Sequence, residues 1–215
     1  MTWPAQFQSA NTLPALGCAT GAYVLGCFAT GYYLVRARTG QDIREIETGS
    51  IGATNVGRIL GRTGFWLTVG GDFLKGALAV GAARYFTGSD HFAAVALLFV
   101  VIGHIWPAPL NWRGGKGVVT SGGAALIYDY RLALAYGAAV AIGFVLTRRM
   151  TIPGLLAYAV VPFVSFWLNH NPFETAIMTG LVALIWFAHR QNILEAFPAL
   201  SVRRGLSTKP HPPKS

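Results

Sequence analysis

Three polar clusters interrupt an otherwise apolar chain, and each carries residue types suited to holding an anion. The first is DIREIETGSIGATNVGRILGR, residues 42–62. Here Thr48, Gly49, Ser50, Gly52, Thr54 and Asn55 form a glycine-hydroxyl turn that runs into a helix carrying Arg58. Free backbone N–H groups at a helix start, small hydroxyl donors and a nearby arginine suit a phosphate. A capped loop with Thr54 or Asn55 as N-cap accounts for the same residues. The second cluster is GHIWPAPLNWRGGKGVVT, residues 103–120. Gly114 and Gly115 let the backbone approach a ligand closely, and Arg113 and Lys116 supply charge. His104, taken alone, reads better as a hydrogen-bonded core histidine. The two cations also fit as membrane anchors, although anchors need no flanking glycines. This run is not a nucleotide P-loop: Leu110 holds the first-glycine position, and Gly117 stands where the Mg²⁺-binding hydroxyl belongs. The third cluster is HRQN, residues 189–192, where His189 and Asn192 share one helix face. Such a pair can point into a cleft or simply cap a helix end.

The elements that position these clusters are membrane helices. The chain has 215 residues, 53% hydrophobic and 12% charged, with mean hydropathy +0.46. Soluble domains carry about 25% charged residues. Apolar blocks fall at 13–35, 64–85, 92–110, 117–128, 131–147, 152–168 and 173–189. At roughly 20 residues per span, they predict an all-α, polytopic protein of about seven transmembrane helices, the 117–128 block being short. The net charge of +9 reads as loop asymmetry rather than nucleic-acid binding. Most of the Lys and Arg fall on the side that holds all three clusters, and only Arg84 and Arg131 fall on the other. The positive-inside rule then puts the N-terminus outside and the C-terminus and clusters in the cytoplasm. Residues 1–199 form one membrane-embedded domain, and 200–215 a basic, disordered tail facing an anionic inner leaflet. Cys18 and Cys27 are too far apart along a helix for a disulfide. The N-terminal segment lacks the basic region of a cleavable signal peptide. Asp72 and Lys75 lie inside a span at i,i+3 and can pair, as a structural lock or a functional ion pair.

Taken in order, DIR…TGSIGATN…R, DFLKG, GHIWP…RGGKGVVT and HRQNI resemble the bacterial acyl-phosphate:glycerol-3-phosphate acyltransferase family (PlsY). The likeness runs from about Asp42 to Ile193. It implies a seven-helix inner-membrane enzyme that transfers a fatty acyl group from acyl phosphate to the 1-hydroxyl of glycerol 3-phosphate. The products are lysophosphatidate and phosphate, and the active site faces the cytoplasm. Gly49, Thr54, Asn55, Arg58, His104, Gly114, Gly115, Lys116, Thr120, His189 and Asn192 match the family's motifs. The chain departs from the pattern at Thr48 (usually serine), Ser50 (usually asparagine) and Arg113 (usually lysine). Thr151 and Gly154 replace serines, and Leu194 and Glu195 stand at basic positions. Thr48 keeps a hydroxyl, Ser50 loses an amide, and Glu195 inverts a charge.

The mechanism this implies needs neither metal nor cofactor. Acyl phosphate is already activated, so the acceptor hydroxyl attacks directly while cations stabilise the oxyanion and the leaving phosphate. No G-x-S-x-G nucleophile signature is present. Thr48, His189 and Asn192 are the catalytic candidates. Arg58, Lys116, Arg113, Gly49, Ser50, Thr54, Asn55, His104, Gly114, Gly115 and Thr120 are the phosphate-binding ones. The base is either a substrate phosphate or His189. The acyl tail would occupy an apolar groove among membrane lipids. Acyl-CoA and acyl carrier protein are alternative donors. A divergent relative without this activity, or a small transporter for phosphorylated or lipid-like anions, fits the same composition.

Overall fold

The computed structural model describes residues 12–149 and 151–196, so the basic tail at 200–215 lies outside the described residues, as does the Glu195 side chain. Ten α-helices make up the described fold. They are α1 (Thr12–Cys27), α2 (Thr30–Thr39), α3 (Ala53–Thr87), α4 (Asp90–Ile105), α5 (Val118–Tyr128), α6 (Tyr130–Thr147), α7 (Thr151–Ala157), α8 (Val160–Asn169), α9 (Pro172–Ala188) and α10 (Arg190–Ala196). Short 3₁₀ turns at Ile43–Glu45 and Ala108–Leu110 shape the two long loops at one end of the bundle.

The all-α membrane architecture is as expected, but the span count is not. Among the described residues, four stretches are long and apolar enough to cross a membrane: Thr12–Thr39, Asp90–Leu110, Tyr130–Thr147 and Thr151–Asn169. The expectation of about seven is therefore corrected to four. The other apolar blocks fail for physical reasons. Val118–Tyr128 has 11 residues, well short of the roughly 20 that a bilayer needs, and Pro172–Ala188, with 17, falls just below the four counted stretches. Ala53–Thr87 is long enough, but Arg58, Arg62, Asp72, Lys75 and Arg84 interrupt it. With the odd count goes the reasoning that set the two termini on opposite sides.

Helix α4 forms the centre. Leu97, Val100 and Val101 are fully buried, and they pack in one core with Val80, Met178, Leu181 and Ile185 from α3 and α9. Two seams bring backbones into direct contact. Gly26 of α1 lies on the Val100 carbonyl, and Gly103 of α4 lies on the Tyr23 carbonyl. Gly76 of α3 meets the Thr120 carbonyl, and Gly123 of α5 meets the Phe73 carbonyl. A β-carbon at any of the four would collide with those atoms. Small residues are how helices associate in lipid, where apolar packing alone brings no gain over lipid tails. The outward faces carry Leu134, Ile142, Leu146, Phe163 and Trp167, all exposed.

One element reverses sharply. Gly61, inside α3, has φ 69° and ψ −164°, a region essentially reserved for glycine. The chain doubles back there, so Gly57 faces Phe65, and Gly64 faces Leu60 and Val56. The short first limb, carrying Asn55 and Arg58, thereby returns over the loop at one end of the bundle. Val56, Ile51, Ile43 and Leu110 then close a small second core that joins the two long loops.

Gly61→Ala should cost about 1–3 kcal/mol through backbone strain alone, because nothing lies within 4 Å of the added carbon. Gly70→Ala, also in open space but within regular helix, should cost nothing. Thermal unfolding in detergent distinguishes them, and equal midpoints for both variants would dismiss the reversal.

Candidate functional site

The three polar clusters meet at one end of the bundle, where α4 ends, α5 begins and α9 ends. In the first cluster the loop folds on itself before the helix starts. The Asn55 side-chain amide donates to the Ser50 carbonyl at 2.8 Å, and its Oδ1 accepts from the Thr48 N–H at 3.4 Å. Ser50 Oγ accepts from the Gly52 N–H at 3.3 Å. Gly49 sits at φ 67°, close against the Arg44 carbonyl. Asn55 is thus buried as a brace, while Thr48, Thr54 and Arg58 are exposed. The N-cap of α3 is Gly52, and no side chain caps its first turn. The capped-loop reading with Thr54 as N-cap is not what forms.

In the second cluster the Gly114 and Gly115 N–H groups donate to the Ile105 and His104 carbonyls at 3.1 and 3.0 Å. A β-carbon at Gly115 would run into the His104 ring, and one at Gly114 into Pro107 and the His104 carbonyl. The glycines are there to let this loop lie flat on the end of α4. Gly117, at φ 84°, turns the chain into α5, whose first turn also has no side-chain cap. Arg113 is exposed and makes no ion pair among the described residues. Lys116 reaches the third cluster, where its ammonium donates to Asn192 Oδ1.

His189 closes that group. It is buried at the end of α9, with Nδ1 2.9 Å from the Ile185 carbonyl. A carbonyl can only accept, so Nδ1 carries the proton and Nε2 of the neutral ring keeps the lone pair. Burial pushes the His189 pKa down, the Ile185 carbonyl raises it, and the nearby Lys116 charge lowers it again. The net direction is down, so the ring stays neutral across the physiological range.

Two candidates sit elsewhere. The His104 side chain is buried with its Nδ1 2.8 Å from the Lys75 ammonium. Thr120 is fully buried in the seam between α3 and α5, its Oγ1 without a hydrogen-bond partner among the described residues. The His104 ring packs against Gly115, one residue before Lys116, while Thr120 lies in the helix seam. His104 belongs to a buried knot centred on Lys75 Nζ. That ammonium reaches Asp72 Oδ1 at 3.0 Å, the Gly26 carbonyl at 3.1 Å and the Phe28 carbonyl at 2.7 Å. Thr30 Oγ1 donates to the same Asp72 oxygen at 3.2 Å. Those two carbonyls are left open where the first span breaks between α1 and α2.

Sequence reasoning also passed over Arg44. Its guanidinium pairs with Asp42 at 2.6 Å, stacks over the Tyr32 ring and donates to the Leu110 carbonyl at 2.7 Å. It therefore ties the first cluster's loop to the second's. The Asp42 hydrogen bonds to Arg44 hold that carboxyl below the usual range. Asp and Arg two residues apart were the available signal. Among the described residues no group of three or more His, Cys, Asp or Glu could hold a metal.

The family model described as glycerol-3-phosphate acyltransferase matches residues 16–198. A glycerol-3-phosphate acyltransferase 1 of Desulfitobacterium hafniense is 43% identical over 185 residues, covering 86% of this chain and 91% of that protein. One from Bacillus cereus is 34% identical, covering 79% of this chain and 93% of its own. Among solved structures, the glycerol 3-phosphate form of PlsY (YgiH), an integral membrane glycerol 3-phosphate acyltransferase, superposes with TM-score 0.76. It is 27% identical and covers 92% of this chain and 96% of that one. The lysophosphatidic acid form gives TM-score 0.74 at 26% identity, covering 91% and 94%.

Two measurements test the site's electrostatics. The His189 ring, followed by NMR, should titrate below the ordinary value of about 6.5, and Lys116→Met should raise the midpoint; an unchanged midpoint would remove the charge coupling. Lys75→Met should destabilise by about 3–5 kcal/mol by stranding Asp72, and adding Asp72→Asn should restore part of that. No restoration would mean that the two groups do not act as a pair.

Proposed function

The chain belongs to the glycerol-3-phosphate acyltransferase family, and on that premise we propose that the cluster around Lys116, Asn192 and His189 is its active site. The protein is a membrane-bound enzyme that transfers an acyl group from acyl phosphate to glycerol 3-phosphate, giving lysophosphatidate and phosphate. The observation that carries the assignment of the site is the bond from Lys116 to Asn192, which brings together two clusters 76 residues apart.

In this reading Lys116 and Arg58 hold phosphates, helped by the uncapped first turns of α3 and α5 after Gly52 and Gly117. Arg113, Thr48, Gly49, Ser50 and Thr54 border the same entrance. Asn55, Gly114 and Gly115 shape its backbone, while His104 and Thr120 act from behind it. The acceptor hydroxyl adds to the acyl carbonyl carbon, the bond from that carbon to the phosphate oxygen breaks, and inorganic phosphate departs. The hydroxyl proton goes to His189 Nε2 or to a substrate phosphate. His189 is suited to the task because it is neutral and its other nitrogen is fixed. Cations that are already in place stabilise the oxyanion without reorganising, and this is where a reaction with an activated donor gains most.

We infer that this end of the bundle faces the cytoplasm. Supporting this is the charge asymmetry: Arg36, Arg38, Arg44, Arg58, Arg113, Lys116, Arg148, Arg149 and Arg190 cluster at the site end, against Arg84 and Arg131 at the other.

Purified protein given labelled glycerol 3-phosphate and acyl phosphate should form lysophosphatidate. Lys116→Ala should lower kcat/KM about 100-fold or more, the scale of losing one charged donor. Product formation unchanged in Lys116→Ala would reject the site. Parallel reactions with acyl-CoA and acyl carrier protein should give no product, and product from either would reject acyl phosphate as the sole donor.

A further inference from the structure

The end of the bundle opposite the active site holds a cavity of about 770 Å³, lined by none of the residues proposed for acyl transfer. It lies where α3, α5 and α8 end and where α4, α6 and α9 begin. Its walls are polar and of both signs. Arg84 pairs with Asp90 at 2.6 Å, and Arg131 pairs with Asp129 at 2.8 Å. Glu174 is buried, accepting from Asn171 at 3.0 Å and from Asn169 at 3.3 Å. Two arginines against Asp90, Asp129 and Glu174 leave the lining one formal negative charge in excess.

This cavity does not stand alone. Leu126 lines it and also lines an almost wholly apolar slot of about 230 Å³, bounded by Phe73, Leu132, Tyr136, Met178 and Leu181. The slot runs beside α5 from Leu126 back to Ser121. Tyr130, which lines the cavity, is exposed, and so are Tyr85, Phe86 and Trp167, each within two residues of the lining residues Arg84 and Leu168. Exposed aromatic rings at one level of a membrane protein mark the headgroup region. A polar pocket at headgroup depth that shares the Leu126 wall with an apolar slot matches an amphiphile, with the head in one and a chain in the other.

We propose that this pair of cavities binds a glycerophospholipid with a zwitterionic head from the leaflet opposite the active site. Charge selects the head. Its phosphate meets Arg131, which is about half exposed, and its ammonium meets the carboxylate excess around the exposed Asp90. An anionic head would bring a second negative group to a lining that is already negative. The substrates and the lysophosphatidate product are anionic and belong at the Lys116 end. A lipid held there would wedge between the end of α5 and the starts of α6 and α9.

Native mass spectrometry of the full chain in detergent tests this, with phosphatidylethanolamine and phosphatidylglycerol of equal chain length as probes. The ethanolamine lipid should be retained at least about tenfold better. Arg131→Gln, which removes the phosphate partner, and Leu126→Trp, which crowds the wall that cavity and slot share, should each cut that retention about tenfold. Both variants should keep acyl transfer to glycerol 3-phosphate within twofold of the parent, whatever the identity of the active-site base. Equal retention of the two lipids, or undiminished binding in both variants, would overturn the proposal. So would lost turnover in Leu126→Trp, which would give the slot to the substrate's acyl chain instead.

Discussion

A single buried ammonium sets the arrangement of the active end. Lys75 has three protons to give, and it is surrounded by Asp72, His104 and the Gly26 and Phe28 carbonyls. Buried charge is costly unless it is paired and hydrogen-bonded, and here the partners come from three segments: α3, α4 and the break after α1. The open carbonyls at the break in the first span are tolerated for the same reason, since irregular backbone at membrane depth must be satisfied by protein. A fixed cation inside the bundle thus permits α1 and α2 to diverge, and the divergence lets α2 reach the first loop.

The same ion reaches the chemistry through His104. An ammonium can only donate, so His104 Nδ1 accepts and its Nε2 carries the proton. The ring packs against Gly115 with Nε2 as its nearest atom, and the Gly115 N–H is bonded back to the His104 carbonyl. One residue later Lys116 points at Asn192. Preorganised cations are worth more than mobile ones because they do not reorient as charge develops. In this protein the order of a long glycine loop comes from a buried charge one layer behind it. Arg44 does the corresponding work on the other side, pinning the first loop to Leu110.

Much of this was legible in the residues, and the gaps have physical causes. Low charge content and long apolar blocks announced membrane helices, but a hydropathy block does not state its helical length. The helix at 118–128 is too short to span, and α3 is long but carries charges. The reversal at Gly61 left no mark, because a lone glycine in a helical pattern looks the same whether it bends or not. The pairing of Asp72 with Lys75 was visible at i,i+3, but the carbonyls and His104 that complete it lie 29 to 49 residues away. His104 and Thr120 looked like ligand contacts because their motif surrounds a basic glycine loop. Their side chains face inward, and spacing alone cannot say which side of a loop faces the ligand.

That distinction explains why a run so close to a phosphate-binding loop lacks the P-loop's closing hydroxyl. A nucleotide site must hold a magnesium ion as well as phosphates, and the residue after its lysine serves the metal. In this chain that residue is Gly117, whose positive φ starts α5 and whose missing side chain leaves room for Ile185 and Val101. A serine there would demand a strained backbone and would collide with the core. In the proposed site, phosphate charge is met by Lys116, Arg58 and helix-start amides. Such a set suits a donor whose leaving group needs stabilisation at the moment of transfer rather than tight, metal-bridged storage beforehand. In the proposed site the two anionic substrates would therefore meet a loop already held in place by His104 and Gly117.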